Sequence, residues 1–585
     1  MTLQIRRRAQ VANPASLGAE MHPVLQRAYA ARGVRAPTDL DHALERLLPV
    51  GTLAGVDAAA SLLLAHRRDG RILVIGDFDA DGATSTALML RALRSWGFAA
   101  VDFLVPNRFK FGYGLTPEIV ASALTRTPTL IVTVDNGVSS IAGVAAARAH
   151  GIAVLITDHH LPGDSLPDAN VIVNPNLAGS AFGSSALAGV GVAFYVMAAV
   201  KRALDQAAEL APGAPGVAEF LDLVALGTIA DVVPLDFNNR VLVAQGLMRI
   251  RAGRCVPGIR ALLKVAARER ADLTAADLAF AVAPRLNAAG RIDDMKIGID
   301  CLLAPDDAEA LILATRLDEL NRERRSIEAR MQSDALAAVR RLTETSLQPL
   351  RRSGVVLFDE SWHQGVVGLV ASRVKERVRR PVFAFARAED SSLRGSGRSI
   401  AGVHIRDVLD AIAARHPELI VKFGGHAMAA GLTLEFEKLE RFARAFDAEV
   451  ERCLGLAQHT DCIETDGELA LEEIALETAQ AVRGGGPWGQ AFAEPSFDGV
   501  FVIRSARMVG ERHLKMWVEV PRSGRAFDAI AFNYLAADGS ASLPAGSAQL
   551  VFRLDVNEYQ GERRLQLLVD HVLPCANVAI GADAD

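Results

Sequence analysis

Apolar residues along this chain follow three patterns. The first is short and continuous: Arg71–Gly76 (RILVIG), Thr129–Val134 (TLIVTV), Ile152–Thr157 (IAVLIT) and Leu221–Leu226 (LDLVAL). Parallel strands covered on both faces read this way, because neither face meets water. Alanine-rich helical stretches such as Ala83–Trp96 and Ile141–His150 lie between them. The alternation predicts an α/β domain with a mainly parallel sheet.

The second pattern is helical. Leu313, Leu317, Leu320, Ile327, Met331 and Ala335 recur three, four or seven apart. This predicts one long amphipathic helix, read equally well as a rigid connector or as a core helix of the preceding domain. A second α/β region follows, opening on the strand Gly354–Phe358 (GVVLF). The third pattern is period-two alternation at Phe497–Met508, His513–Val520, Arg525–Phe532, Leu550–Val556 and Arg564–Val572. Five such strands predict a small β-barrel of the OB type. The expected division is an N-terminal segment at 1–45, a catalytic α/β domain with a helical extension at 46–305 and a connecting helix at 306–345. A second α/β domain at 346–460, the barrel at 461–575 and a tail at 576–585 complete it.

Composition narrows the function classes. Half of the 585 residues are hydrophobic, enough for several buried cores. The net charge of −6 argues against a surface coated with positive charge, but it permits a local basic channel. Cys255, Cys301, Cys453, Cys462 and Cys575 are odd in number and form no C-x-x-C pair. Neither a disulfide framework nor a zinc site is expected, and a reducing cytoplasm is the simple inference. No apolar run is long enough for a membrane span, and MTLQIRRRAQ has no apolar stretch behind its charges, so no signal peptide is expected.

The strongest local signal is Asp77-Phe78-Asp79-Ala80-Asp81-Gly82, directly after RILVIG. Three carboxylates so close repel one another unless cations hold them. A calcium loop of the EF-hand type would need Glu where Leu88 stands, and a helix rather than a strand before it. The next two apolar runs end in Asp135-Asn136-Gly137 and Asp158-His159-His160, and the fourth leads to Gly227-Thr228-Ile229-Ala230-Asp231. Acids and histidines thus stand beyond the carboxyl end of each expected strand, the edge where sites assemble in open α/β sheets. Mainly carboxylate donors with one or two imidazoles suit Mn²⁺ or Mg²⁺. Two such ions roughly 3.5–4 Å apart can activate a water and stabilise both oxygens of an in-line displacement at phosphorus. No nucleophile elbow or phosphate-binding P-loop is present. Gly189-Val190-Gly191 reads as helix packing rather than a dinucleotide fingerprint, because a third glycine is missing.

DFDADG, VDNG, TDHH and GTIADVVPL, in this order, resemble the four signature motifs of the DHH phosphoesterase superfamily. PRLNAAGR at 284–291, SWHQG at 361–365 and KFGGHAMAAG at 422–431 resemble its branch of single-stranded-DNA exonucleases. The resemblance spans nearly the whole chain. It implies a DHH domain, a second α/β domain of the DHHA1 type and an OB barrel. The implied metal ligands are Asp79, Asp81, Asp135, His159 and Asp231, with Asp135 bridging two divalent ions, Mn²⁺ or Mg²⁺. Asp77 and Asp158 would be further ligands or would orient the histidines, and His160 would face the substrate phosphate. Many members carry a histidine four residues before Asp79. Here that residue is Ile75, which implies a weaker first metal or compensation by Asp77.

Substrate contacts are implied at Gly424, Gly425 and His426, with a tight turn before a helix as the plainer reading of that motif. Arg285, Asn287, Arg291 and His363 are further cleft candidates. A pocket for a 5′ phosphate would draw on Arg108, Ser372, Arg373, Arg398 and Ser399, since arginine grips phosphate through paired hydrogen bonds. Phe109, Phe111 and Tyr113 beside Arg108 could stack bases. The implied activity is 5′→3′ digestion of single-stranded DNA to mononucleotides, in recombination and repair, by a cytoplasmic monomer. Single-strand-binding protein and a RecQ-type helicase are the implied partners. The alternatives are a phosphodiesterase for short oligonucleotides or cyclic dinucleotides, and a catalytically silent DNA-binding scaffold.

Overall fold

The computed structural model describes residues 4–106, 114–344, 353–388, 392–455, 462–510, 513–534, 543–559 and 562–574. The chain divides into two compact units. One comprises Met1–Ala283, Leu302–Asp307 and Asp461–Asp585; the other comprises Pro284–Cys301 and Ala308–Thr460.

The first unit contains a parallel sheet of β1 (Arg71–Ile75), β2 (Ala100–Leu104), β3 (Leu130–Val134), β4 (Ala153–Thr157) and β5 (Val171–Val173), in the order β2-β1-β3-β4-β5. The order reverses between β1 and β3, and at such a switch point adjoining loops part to leave a crevice at the strands' carboxyl ends. The three expected strands at β1, β3 and β4 are present within a residue. The edge strands β2 and β5 have no long apolar run, being partly exposed or very short, and the sequence reading did not contain them.

The fourth expected strand is a correction. Leu221–Leu226 opens a helix, α4 in a series with α1 (Ala80–Ser95), α2 (Ile141–Ala149) and α3 (Gly189–Gln206); α4 spans Leu221–Ala230. Its residues from Leu221 to Ile229 are all buried. A helix buried all round has no polar stripe, so its apolar run imitates a buried strand.

The barrel also belongs to this unit. Its strands Phe497–Val509, His513–Glu519, Ala526–Ala531, Gly546–Tyr559 and Glu562–Pro574 close on themselves. Closure leaves the barrel no unpaired edge. Phe497, Phe501, Leu514, Val518, Leu550 and Phe552 fill its core. The N-terminal segment docks here: Gln4–Arg7 pairs in parallel with Cys462–Thr465, and the buried Arg32 guanidinium meets Asp466 at 2.7 Å.

The second unit has a mixed sheet ordered Lys422–Gly425, Ala429–Leu434, Leu393–Arg398, Val382–Arg387, Val355–Phe358. Phe383, Phe385, Phe442 and Phe446 stack and cross in its core. The long helix is present as Asp307–Glu344. Its Met331 and Ala335 pack with Val355, Leu357 and Trp362 inside this unit. No single helix among the described residues is long and apolar enough to cross a membrane. Cys575 and the tail from residue 576 lie outside the described residues.

Candidate active site

The loop after β1 turns straight into α1, and Asp79 caps that helix: its Oδ1 accepts from the N–H groups of Asp81 and Gly82, both at 3.0 Å. The cap holds Asp79 at the sheet edge. Asp81, one residue into the helix, is fully buried and accepts from the N–H groups of Gly189 and Val190 at 2.6 and 2.9 Å. The glycine read as helix packing is therefore part of the site. Gly189 must lack a side chain, because a Cβ there would sit 2.6 Å from Asp135 Cβ and 2.7 Å from its Oδ1.

Asp135 directly follows β3 and lies in the left-handed region, with φ of 61°. Aspartate tolerates that conformation better than most residues. Its N–H is tied to Thr157 O at 3.0 Å, and Asn136 bridges the ends of β1 and β3 through Ile75 O and Val134 O. Asp158 ends β4. Its Oδ2 accepts from Val138 N at 2.9 Å, and its Oδ1 faces His160 Nδ1 at 2.7 Å. Asn174 and Asn176, in the loop after β5, donate to the carbonyls of His160 and His159. These two asparagines were missed in the sequence, since nothing in NPN marks a partner so far upstream.

The expected ligands converge. His159 Nε2 lies 3.1 Å from Asp135 Oδ1 and 3.5 Å from Asp231 Oδ2. Three triads bring their donor atoms within 4.8 Å of one another: Asp77, Asp79 and Asp135; Asp135, His159 and His160; and Asp81, His159 and Asp231. Asp135 and His159 each occur in two of them, and Asp77 stands in the triad near the buried Ile75.

Burial, with the neighbouring charges of Asp231 and Asp79, holds the Asp81 carboxyl well above the usual carboxylate range. Burial, then Asp81 and Asp79, do the same to Asp135. Burial and Asp79 push Asp231 up to about 7. Like charges out of water cannot all ionise without compensation. A cluster of oxygen donors with imidazole edges fits hard divalent cations, which would supply it. The pair beside it behaves oppositely. Burial opposes charge on both partners, yet their mutual hydrogen bond prevails, lowering Asp158 and raising His160 to about 9.

The other described candidates fall in the second unit. Arg398 ends a strand and bonds Ser396 Oγ and Gly397 O at 3.0 and 2.8 Å. A Cβ on Gly368 would lie 2.9 Å from Arg398 Nη2. Ser372 follows Gly368 by one turn of the helix Val367–Val378, so both share a face. Arg373 pairs with Glu328 and Glu376 at 3.4 and 3.3 Å. Ser399 is fully buried, and its hydroxyl donates to Val403 O at 2.6 Å. Gly424 and Gly425 end a strand that returns through His426 into Ala429–Leu434. The motif is thus a hairpin, which corrects the reading of a turn before a helix. Here Ala429 pairs with Arg398, which sets the hairpin beside that strand end.

Arg285 is buried against Asp318 at 2.8 Å, and Asn287 is half-buried on the same helix, Ala283–Ile292. Arg291 reaches Gly365 O at 3.4 Å, whose N–H donates to His363 Nδ1 at 3.1 Å. Asp293, two residues on, pairs with Arg316 at 3.0 Å. Arg108, with Phe109, Phe111 and Tyr113, lies outside the described residues.

Three family models match the chain. Residues 71–228 match the DHH family N-terminal domain, 352–452 the DHHA1 domain and 465–571 the RecJ OB domain. The chain is 52% identical over 581 residues to the single-stranded-DNA-specific exonuclease RecJ of Dickeya dadantii, covering 98% of this chain and 99% of that one. It is 51% identical over 579 residues to the same exonuclease of Escherichia coli, again covering 98% and 99%. The crystal structure of RecJ in complex with Mn²⁺ from Thermus thermophilus is similar with a TM-score of 0.78 at 30% identity, over 98% of this chain and 79% of that one.

Proposed function

This chain belongs to the RecJ family of DHH proteins, and on that premise we propose that it is a metal-dependent exonuclease digesting single-stranded DNA from the 5′ end to mononucleotides. The observation that carries this reading is the gathering of Asp77, Asp79, Asp81, Asp135, His159, His160 and Asp231 into interlocking triads at one sheet edge. Relatives at about half identity over nearly the full length bear the exonuclease name, and similar RecJ structures hold Mn²⁺ or Mg²⁺.

Asp79, Asp81, Asp135, His159 and Asp231 are the residues that would hold two divalent ions, with Asp135 shared and Asp77 taking the part that Ile75 cannot. When bound, the ions supply Lewis-acid activation of water and neutralise charge at the phosphoryl group. The protein supplies position. Asp158 keeps His160 protonated and accepts from its Nδ1–H, so the Nε2–H of the imidazolium is the edge that can donate to a substrate phosphate oxygen. Gly189 N and Val190 N hold Asp81 in a fixed orientation, which keeps the donor atoms preorganised. In the second unit, the end of the strand carrying Arg398, with Ser372, Gly424, Gly425 and His426, is the candidate grip for substrate phosphates. Ser399 acts there through the backbone it braces.

The protein would act in the cytoplasm as a monomer in recombination and repair, on strands presented by single-strand-binding protein and opened by a RecQ-type helicase. A time course on 5′- and 3′-labelled single strands, with Mn²⁺ or Mg²⁺, tests the activity. Early loss of the 5′ label as mononucleotide, with duplex spared, is the expected result. No cleavage with either ion, or release from the 3′ end, would refute the reading.

A further inference from the structure

The last turn of the helix Phe237–Arg251, the loop at 271–274, the helix Leu476–Gly484 and the last two barrel strands border an open cleft of about 480 Å³. The volume lies in the range typical of small-ligand sites. Arg251, Asp272, Thr274, Gln480, Arg483 and Arg563 line it. These are three cations against one anion.

The pairing concentrates the excess. Arg563 is neutralised, meeting Asp272 at 2.8 Å and Glu558 at 3.2 Å. Arg251 donates through Nε and Nη2 to Leu273 O at 2.8 and 2.6 Å. Arg483 donates to Asp272 O at 3.2 Å. Main-chain carbonyls orient a guanidinium without cancelling its charge. Burial and the nearby Arg483 depress the Arg251 pKa, against the pull of Asp272 and Asp277. Two guanidiniums bonded to the adjacent carbonyls of Leu273 and Asp272 repel one another; an anion between them would relieve that repulsion, and the guanidinium fork matches phosphate oxygens. Thr274 and Gln480 add neutral hydrogen-bonding groups at the wall.

We propose that this cleft is a second phosphate-binding site, separate from the metal centre. Its ligand is a phosphodiester of the single strand bound by the barrel, with the monoester of a released nucleotide as the other source of the same chemistry. The proposal rests on the reading of the protein as a single-strand nuclease. It adds a phosphate grip built jointly by the helical extension and the barrel.

The test uses the full-length chain in chelator, so that binding is read without cleavage. Fluorescence anisotropy with a long oligothymidylate compares the wild type with R483E and R483K, and thymidine monophosphate serves as competitor. R483E should weaken binding several-fold and lower the salt slope by about 0.7, the share of one phosphate that is no longer neutralised. R483K, which keeps the charge, should recover most of both. Unchanged affinity and slope in a folded R483E overturn the proposal. So does equal weakening in R483K, which would mark a packing role. Competition by the mononucleotide that vanishes in R483E assigns the site to the monoester; strand binding that weakens without such competition assigns it to the diester. Cleavage by the wild type with Mn²⁺ is scored separately, so a failure of the cleft is distinguishable from a failure of the parent reading.

Discussion

Asp158 Oδ1 stands 2.7 Å from Nδ1 of His160, and the same oxygen accepts the N–H groups of His159 and His160 at 2.8 and 3.1 Å. One buried carboxylate therefore sets both the ring and the main chain of the double-histidine loop. Asp158→Asn keeps the shape but removes the charge that holds the His160 proton. Cleavage should fall by roughly 10- to 100-fold, as for other changes to groups that orient metal-site residues. Metal binding measured by calorimetry should persist. Wild-type rates in this variant would remove Asp158 from its positioning role.

The cluster predicts a pH dependence for the metal-stripped protein. Asp231 is raised from 3.8 to about 7, and Asp81 and Asp135 are raised in the same direction. The folded state thus binds more protons than the unfolded one between those values. Stability from these groups is complete below about pH 4 and is lost as pH rises through about 7. His160, raised to about 9, contributes in the same sense at higher pH. The melting temperature without metal should drop between about pH 5 and pH 8, and Mn²⁺ should restore more of it at the higher pH. A Mn²⁺ gain independent of pH would contradict the mutual repulsion of these acids.

Two glycines should resist substitution. A Cβ on Gly189 would strike Asp135, and one on Gly227 would lie 2.2 Å from Thr84 Oγ1 and 2.9 Å from Asp81 Oδ1. Gly189→Ala and Gly227→Ala should each cost about 1–3 kcal/mol by overpacking. Their loss of cleavage should exceed what the unfolded fraction explains, because both would displace carboxylates proposed to hold the metal ions. Denaturant melts paired with rates at permissive temperature check this. Full activity in either would mean that the acids tolerate displacement.

Trp517 is 48% exposed on the barrel strand His513–Glu519, between the buried Met516 and Val518. It projects from the second strand of an OB-type barrel, whose second and third strands form the usual ligand face. Trp517→Ala should weaken single-strand binding by ~1–3 kcal/mol, the worth of one stacked base. Tryptophan fluorescence should be quenched by oligothymidylate in the wild type. Equal affinities would place the strand elsewhere on the barrel.

The acids were legible in the sequence because each follows a short apolar run that ends at one sheet edge. A parallel strand aims its last residues at that edge whatever its neighbours do, so DFDADG, VDNG and TDHH could be grouped from the chain alone. Asp231 was grouped correctly for a wrong reason. LDLVAL is a helix that ends at the same crevice, and no local pattern separates a helix buried all round from a buried strand. The barrel was legible too, since period-two alternation survives wherever one face is wet.

Residues far apart in sequence had to be decided by the fold. Gly189 reaches Asp81 from 108 residues away, and Arg6 meets Glu464 across 458. Such pairs leave no period in the chain, because they are fixed by packing between elements rather than within one. Composition and local pattern determined which atoms were available for the chemistry. Only the tertiary structure determined that Asp135 and His159 stand at the junction of the triads, since burial and mutual repulsion exist only once those atoms share one crevice.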